Sequence, residues 1–164
     1  AGILIIGDEI LSGRTQDTNA NFIAKNLTSS GIKLEEIRVI QDDKKIIIKS
    51  VKSFSEKYNY VFTTGGIGPT HDDITSESIA EAFNKTYEIN SEAYNILKKY
   101  YPEGEFNISR QRMAKMPSNQ FLLFKKEYMH TIKYKNEKVF LKLKYFYDYV
   151  LFLIFFIFRF FLIV

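Results

Sequence analysis

The sequence predicts an α/β fold built on a mostly parallel sheet, and three observations carry that expectation. Short apolar runs alternate with amphipathic helical patterns through residues 1–84. The connections between them are brief, as in βαβ units with right-handed crossovers and helices on both faces of the sheet. The run Thr63-Thr64-Gly65-Gly66-Ile67-Gly68-Pro69-Thr70-His71-Asp72-Asp73 then stands where the third strand pattern passes into a helix.

The elements follow in order. Ile3–Ile6 is an apolar run suited to a central parallel strand, broken by Gly7-Asp8-Glu9. Thr15 to Ser30 carries Phe22, Ile23 and Leu27 at helical spacing, with Gly31 as a C-cap. Leu34–Ile40 reads as a second strand whose start, with Glu35, Glu36 and Arg38, is the more exposed part. From Asp43 to Lys57, Ile47, Val51, Phe54 and Tyr58 form the stripe of a helix lying on a sheet. Tyr60–Thr64 is the third strand, and after the glycines Ile79, Ala80 and Phe83 share one helical face. Thr86–Ile89 suggests a short strand, and Ser91–Tyr101 a helix stopped by Pro102 and Gly104. Asn107–Met116 reads as another helix, ended by Pro117 and carrying Arg110, Arg112 and Lys115. That basic cluster is either a solvated face or the source of an Arg reaching a ligand phosphate, whose oxygens match the guanidinium fork.

At 164 residues the chain is long enough for one domain with a sizeable core. The absence of cysteine excludes disulfides and thiolate metal sites and fits a reducing, cytoplasmic setting. The net charge of +4 lies almost wholly in the last third, since residues 1–120 hold about 15 Lys/Arg against about 16 Asp/Glu. No nucleic-acid partner is therefore expected. The chain opens at Ala1 inside a strand pattern, as expected of a sequence that begins within a longer protein. Residues 1–120 form the expected domain, and residues 121–164 an atypical aromatic, apolar tail without Gly or Pro. Three readings of the tail stay open. It is a membrane or interfacial anchor built on Tyr149–Phe158, an unusual piece of core, or an out-of-frame translation of an AT-rich gene.

In a doubly wound sheet, ligands sit beyond the carboxyl ends of the strands. Here those ends carry Asp8 and Glu9, then Asp42 and Asp43, then the glycine-rich loop with Asp72 and Asp73. Gly65, Gly66 and Gly68 allow close backbone approach with N–H groups turned to an anion, and Thr70 and Thr75 can add hydroxyls. Gathered carboxylates beside a phosphate cradle call for a hard divalent ion such as Mg²⁺ or Mn²⁺, which could activate a water. His71 is a candidate base, metal ligand or phosphate contact. Each piece also has a plainer reading: a tight turn at the glycines, turn residues at Asp8 and Glu9, and helix caps at Asp42 and Thr75. No Lys follows the glycines, so there is no Walker motif.

The segments Gly7-Asp8-Glu9-Ile10-Leu11-Ser12-Gly13, with Asp17-Thr18-Asn19, and Gly65-Gly66-Ile67-Gly68-Pro69-Thr70-His71-Asp72-Asp73-Ile74-Thr75 resemble the MoaB/MogA molybdopterin-binding domain. The likeness is to its CinA-like branch, which also supplies the N-terminal domain of eukaryotic FAD synthases. The resemblance implies a three-layer α/β/α domain that binds a molybdopterin-like or nucleotide ligand and commonly forms homo-oligomers. It implies that Asp42 and Asp73 are the functional carboxylates. It further implies metal-dependent hydrolysis of the pyrophosphate in ADP-ribose or FAD; the acid-rich strand ends read above would hold the divalent metal (Mg, Mn or Co) on Asp8, Asp42 and Asp73. Gly65, Gly66, Gly68, Thr70 and Thr75 would then hold phosphate, with Glu9, His71 and Asp72 as further ligand contacts. The alternative is a non-catalytic module for molybdopterin or a flavin nucleotide. Gln41 stands where the family usually has Pro, a mild departure. After Arg112-Met113-Ala114-Lys115-Met116-Pro117, which is similar to the branch, the expected Ala-Pro-Gly-Phe turn and Pro-Gly-x-Pro loop are missing. A truncated or altered C-terminus, and an inactive copy, are expectations that follow. The amidohydrolase fused to full-length CinA proteins has no counterpart in this sequence.

Overall fold

In the computed structural model, which describes residues 1–118, 130–134 and 137–141, the chain opens with β1 (Gly2–Ile6), buried along its whole length. A single helical turn, α1 (Asp8–Leu11), follows directly, so Gly7-Asp8-Glu9 ends the strand by starting a helix. Then come α2 (Asn19–Ser29), β2 (Glu36–Ile40), α3 (Lys44–Lys57), β3 (Val61–Thr64) and α4 (Thr75–Ala82). The three strands form a parallel sheet in the order β2-β1-β3. Ile6 lies opposite Ile40 and Ile5 opposite Thr64, so the three carboxyl ends, and the turns that leave them, stand side by side.

The alternation of side chains along β1 produces the layers. Leu4 and Ile6 face Ile47, Val51 and Phe54 of α3 and Ile79 of α4. Ile3 and Ile5 face the other way, onto Ala20 and Leu27 of α2 and onto Phe62. A strand apolar at every position is thus satisfied only with helices on both sides, the three-layer α/β/α arrangement. Phe54, Ile47 and Val51 are fully buried, each contributing roughly 1.5–3 kcal/mol of transfer free energy. Lys44 joins α3 to α4 through ion pairs with Glu77 at 3.0 Å and Glu81 at 2.8 Å.

Two boundaries differ from the sequence expectation. α2 begins at Asn19 rather than Thr15, because Asp17 Oδ1 accepts from the Ala20 N–H at 2.8 Å and sets the helix start there. The helix expected over Asn107–Met116 is only α6 (Ile108–Gln111), followed by a 3-10 turn at Arg112–Ala114 and then β5 (Lys115–Pro117). Pro117 disfavours helical backbone at Met116, and the extended segment pairs antiparallel with β4 (Tyr87–Ile89), which buries Met116 in the core. Between them α5 (Ser91–Tyr100) is capped by Asn90, whose side chain accepts from Glu92 and Ala93 N–H, and buries Ala93 and Leu97.

β6 (His130–Tyr134) and β7 (Glu137–Leu141) form an antiparallel pair. The readings of the tail rest mainly on the run around Tyr149–Phe158, which lies outside the described residues. Among the described residues no helix is long and apolar enough to cross a membrane.

Candidate functional site

The glycine-rich loop leaves β3 beside the end of β1, and its first glycine is dictated by that crossing. Gly65 has φ +95°, and a Cβ there would lie 1.8 Å from the Ile6 carbonyl oxygen. Gly66, at φ +62°, passes so close to α4 that a Cβ would meet Thr75 Oγ1 at 2.3 Å and Asp42 Oδ1 at 3.0 Å. A Cβ on Gly68 would meet Asp73 Oδ2 at 2.7 Å. The glycines therefore let the Asp42 and Asp73 carboxylates close in on the loop backbone. Their amides are left over: among the described residues the N–H groups of Gly66, Ile67 and Gly68 donate to no protein acceptor. The loop is closed instead by Thr75 N–H to Gly66 O at 3.1 Å and Asp73 N–H to Thr70 O at 3.3 Å. Asp73 Oδ2 accepts from the Thr70 N–H at 2.9 Å and from the Thr70 hydroxyl.

Two capping expectations give way. Asp43, not Asp42, caps α3, accepting from the Ile46 N–H at 2.9 Å. Thr75 is inside α4, with Ile74 at the cap position, and its buried Oγ1 has no partner. Asp42 is thereby free to turn to the loop. Its Oδ2 accepts from the Asp8 N–H at 3.3 Å, while its Oδ1 is buried and unpaired. Burial pushes the Asp42 carboxyl above the usual range; the Asp8 N–H works against this, and the charges of Glu9, Asp8 and Asp73 add to the rise. Asp8, Glu9, Asp42 and Asp73 thus share one field around Gly66 and Thr75. His71, Asp72 and Thr70 are exposed on the outer turn of the loop. Asn19 ties the first motif to the second, its Nδ2 donating to Thr64 Oγ1 at 2.9 Å.

On the other flank a shallow cleft, open to solvent, is lined by Ile67, Gly68, Asp73, Tyr87, Arg112 and Lys115 among others. Burial lifts the Tyr87 phenol above its ordinary value, with the Arg112 charge acting in the opposite sense. Of the basic cluster marked in the sequence, Arg112 and Lys115 reach the loop. Arg110 points elsewhere, paired with Glu105 at 2.8 Å and lying over the Tyr101 ring. Sequence reasoning missed Tyr87, which only the β4–β5 pairing brings to the glycines, and Ser76, in the first turn of α4, whose Oγ donates to the Lys115 carbonyl at 3.3 Å.

Among the described residues no group of three or more His, Cys, Asp or Glu is arranged to hold a metal ion. The donor set fits a narrower case, an Mg²⁺-like ion that takes one or two carboxylates and completes its shell with ligand phosphate and water. Asp8 and Asp73, whose charges flank the unpaired Asp42 Oδ1, are the candidate carboxylates for it.

Comparison with known proteins agrees with the geometry. Residues 2–142 match the family model of a probable molybdopterin binding domain. A probable FAD synthase of Caenorhabditis elegans is 44% identical over 102 residues, 62% of this chain and 20% of that protein. A CinA-like protein of Flavobacterium psychrophilum is 37% identical over 128 residues, 76% of this chain and 30% of that protein. The solved structure of CinA from Thermoplasma acidophilum, described as of unknown function, matches with a TM-score of 0.70 and 30% identity, over 85% of this chain and 84% of the other. The chain spans a minor part of the length of these two curated relatives. The chain belongs to the molybdopterin-binding domain family, in its CinA-like MoaB/MogA branch, as the two sequence motifs implied.

Proposed function

We propose that the chain binds a nucleotide or pterin phosphate on the glycine-rich loop and, with a divalent metal, hydrolyses a nucleotide pyrophosphate of the ADP-ribose or FAD kind. The observation that carries this reading is one loop whose N–H groups at Gly66, Ile67 and Gly68 donate to nothing among the described residues, next to a half-buried Asp42 whose Oδ1 has no partner there. Successive free amides suit a phosphate, and a carboxylate pushed above its ordinary range by burial is a better proton acceptor than an exposed one. The resemblance to a probable FAD synthase makes a flavin nucleotide one candidate ligand.

In the reaction a water oxygen bonds to one phosphorus, the bridging P–O bond breaks, and AMP leaves with a second phosphate ester. Asp42 Oδ1 takes the proton that the water gives up. Asp73, fixed by Thr70, and Asp8 complete the acidic wall. A divalent ion held by Asp8 and Asp73, with ligand phosphate and water completing its shell, would polarise the phosphoryl group and acidify the water. The absence of a three-ligand cluster among the described residues favours a second reading, a binding module without turnover.

AMP release from ADP-ribose and FAD, with Mg²⁺, Mn²⁺ or Co²⁺ and with EDTA, separates the two. Asp73→Asn keeps an acceptor for Thr70 and so keeps the fold, while AMP release falls by about 10²-fold or more. Saturable ligand binding without any AMP release by the wild type would leave only the module; equal turnover by wild type and variant would remove the role given to Asp73.

A further inference from the structure

The cleft opposite the acidic wall holds two cations that the fold itself does not use. Four arginines lie among the described residues, and three of them have partners: Arg14 donates to Ser12 Oγ at 3.0 Å, Arg38 pairs with Glu36 at 2.5 Å, and Arg110 pairs with Glu105 at 2.8 Å. Arg112 is half-buried in the cleft wall, yet among the described residues it makes no hydrogen bond or ion pair. The Asp72 carboxylate lies near enough for the Arg112 charge to help hold it ionised, but it forms no hydrogen bond or ion pair with the guanidinium, so the fork of a half-buried cation stays unfilled. Lys115, three residues on, has no ion pair among the described residues either; its Nζ stands 5.9 Å from the Tyr87 ring. Their backbone is held firmly, by the β4–β5 pairing and by Ser76 on the Lys115 carbonyl. The one carboxylate lining the same cleft, Asp73, has Oδ2 engaged by Thr70.

We infer that Arg112 and Lys115 receive the ligand's phosphate, so that a phosphorylated ligand lies across the glycine-rich loop with its anion in this cleft and its remainder toward Asp42. The inference rests on the reading that the loop is a phosphate-ligand site, and it adds what selects the ligand. A guanidinium fork takes two phosphate oxygens at once, the Lys115 ammonium adds a point charge, and the amides of Ile67 and Gly68 line the same wall. The class so selected is a phosphate ester or pyrophosphate, with the unphosphorylated nucleoside or pterin excluded. Two positive charges at this wall also offset the repulsion that Asp8, Glu9, Asp42 and Asp73 would exert on an anion.

The test is calorimetric titration of the full chain with inorganic pyrophosphate in metal-free buffer, alongside Arg112→Gln, Arg112→Lys, Lys115→Gln and Arg110→Gln. Arg112→Gln should weaken binding about ten- to hundred-fold, as expected for loss of a charge-assisted pair. Arg112→Lys should restore part of that loss, Lys115→Gln should weaken binding less than Arg112→Gln, and Arg110→Gln should match the wild type. The melting temperature of Arg112→Gln should stay at the wild-type value, because Arg112 has no partner to lose. Wild-type affinity in Arg112→Gln would overturn the proposal, whether the anion sits on the loop amides alone or on the basic tail; so would the absence of saturable pyrophosphate binding by the wild type. AMP release from ADP-ribose, read in parallel, keeps the two readings apart. Arginine-dependent binding without AMP release defeats the hydrolase and leaves this site, whereas full hydrolysis by Arg112→Gln at unchanged KM defeats this site and leaves the hydrolase.

Discussion

Replacing Asp42 by Asn should stabilise the fold while removing its chemistry, and the structure sets the size of the effect. Asp42 Oδ1 is buried with no hydrogen-bond partner, and Asp8, Glu9 and Asp73 add their charges to the same region. An unsatisfied buried acceptor costs about 1–3 kcal/mol. Because the residue is only half-buried, solvent screening places the gain from neutralising it near the lower end, about 1 kcal/mol. For a chain of this size that corresponds to a rise in melting temperature of about 2–4 °C at pH 7. The pH dependence follows from the direction of the shift. A carboxyl whose folded-state pKa lies above its ordinary 3.8 favours the folded state when protonated. That contribution is complete below the ordinary value and is lost as pH rises through the folded one. The amide has no such dependence, so the difference, variant minus wild type, should be near zero at the acid end and grow to a plateau toward neutrality. Calorimetric scans from pH 3 to 8 measure it, and AMP release measured on the same samples should fall by about 10²-fold or more. A variant less stable than the wild type at pH 7, or a difference that does not change with pH, would refute the placing of Asp42 as a strained, unpaired carboxylate.

Two further outcomes test the frame around the site. Gly65→Ala, which puts a Cβ 1.8 Å from the Ile6 carbonyl oxygen at φ +95°, should cost at least about 3 kcal/mol in urea unfolding; a loss under 1 kcal/mol would mean that the loop does not cross β1 as described. Glu36 accepts from the Tyr58 hydroxyl, from Lys57 at 2.9 Å and from Arg38, which together hold its carboxyl at about 2, below the ordinary 4.5. Its contribution is therefore present above pH 4.5 and lost as pH falls toward 2, so Glu36→Gln should flatten the acid limb of the melting profile over that window; an unchanged limb would remove the network.

How much of this was legible in the sequence depends on what kind of contact was being read. The strand and helix alternation through Phe83 was legible because burial on both faces leaves runs such as Ile3–Ile6, and burial on one face leaves stripes such as Ile47, Val51 and Phe54. The convergence of Asp8, Asp42 and the glycine-rich loop followed from parallel order alone, since parallel neighbours align their carboxyl ends. Side-chain assignments were less legible. Asp42 reads as the cap of the next helix, and only the fold shows that Asp43 takes the Ile46 N–H and releases its neighbour. The same holds for Thr75, where the cap position falls one residue earlier, at Ile74. The segment after Asn107 was misread because helical spacing was followed through Met116, although the residue before Pro117 should have been read as extended.

That one misreading hides the connection between the two flanks of the loop. As a helix, residues 107–116 would put Arg112 and Lys115, three apart, on one face and Arg110 away from it, with nothing to say which face meets the loop. As a 3-10 turn running into β5, Arg112 and Lys115 fall on the cleft wall, while Arg110 stays behind with Glu105 and Tyr101. β5 is anchored by its partner β4 and by Ser76 in the first turn of α4, the helix that the glycine-rich loop itself leads into. The acids come from the strand ends and the cations from a separate antiparallel pair. The loop between them, with its glycine faces filled by Asp42, Thr75 and Asp73, is in contact with both. An anionic ligand can approach such a concentration of carboxylates only from the side where positive charge is already fixed, and in this fold that is the side of Arg112 and Lys115.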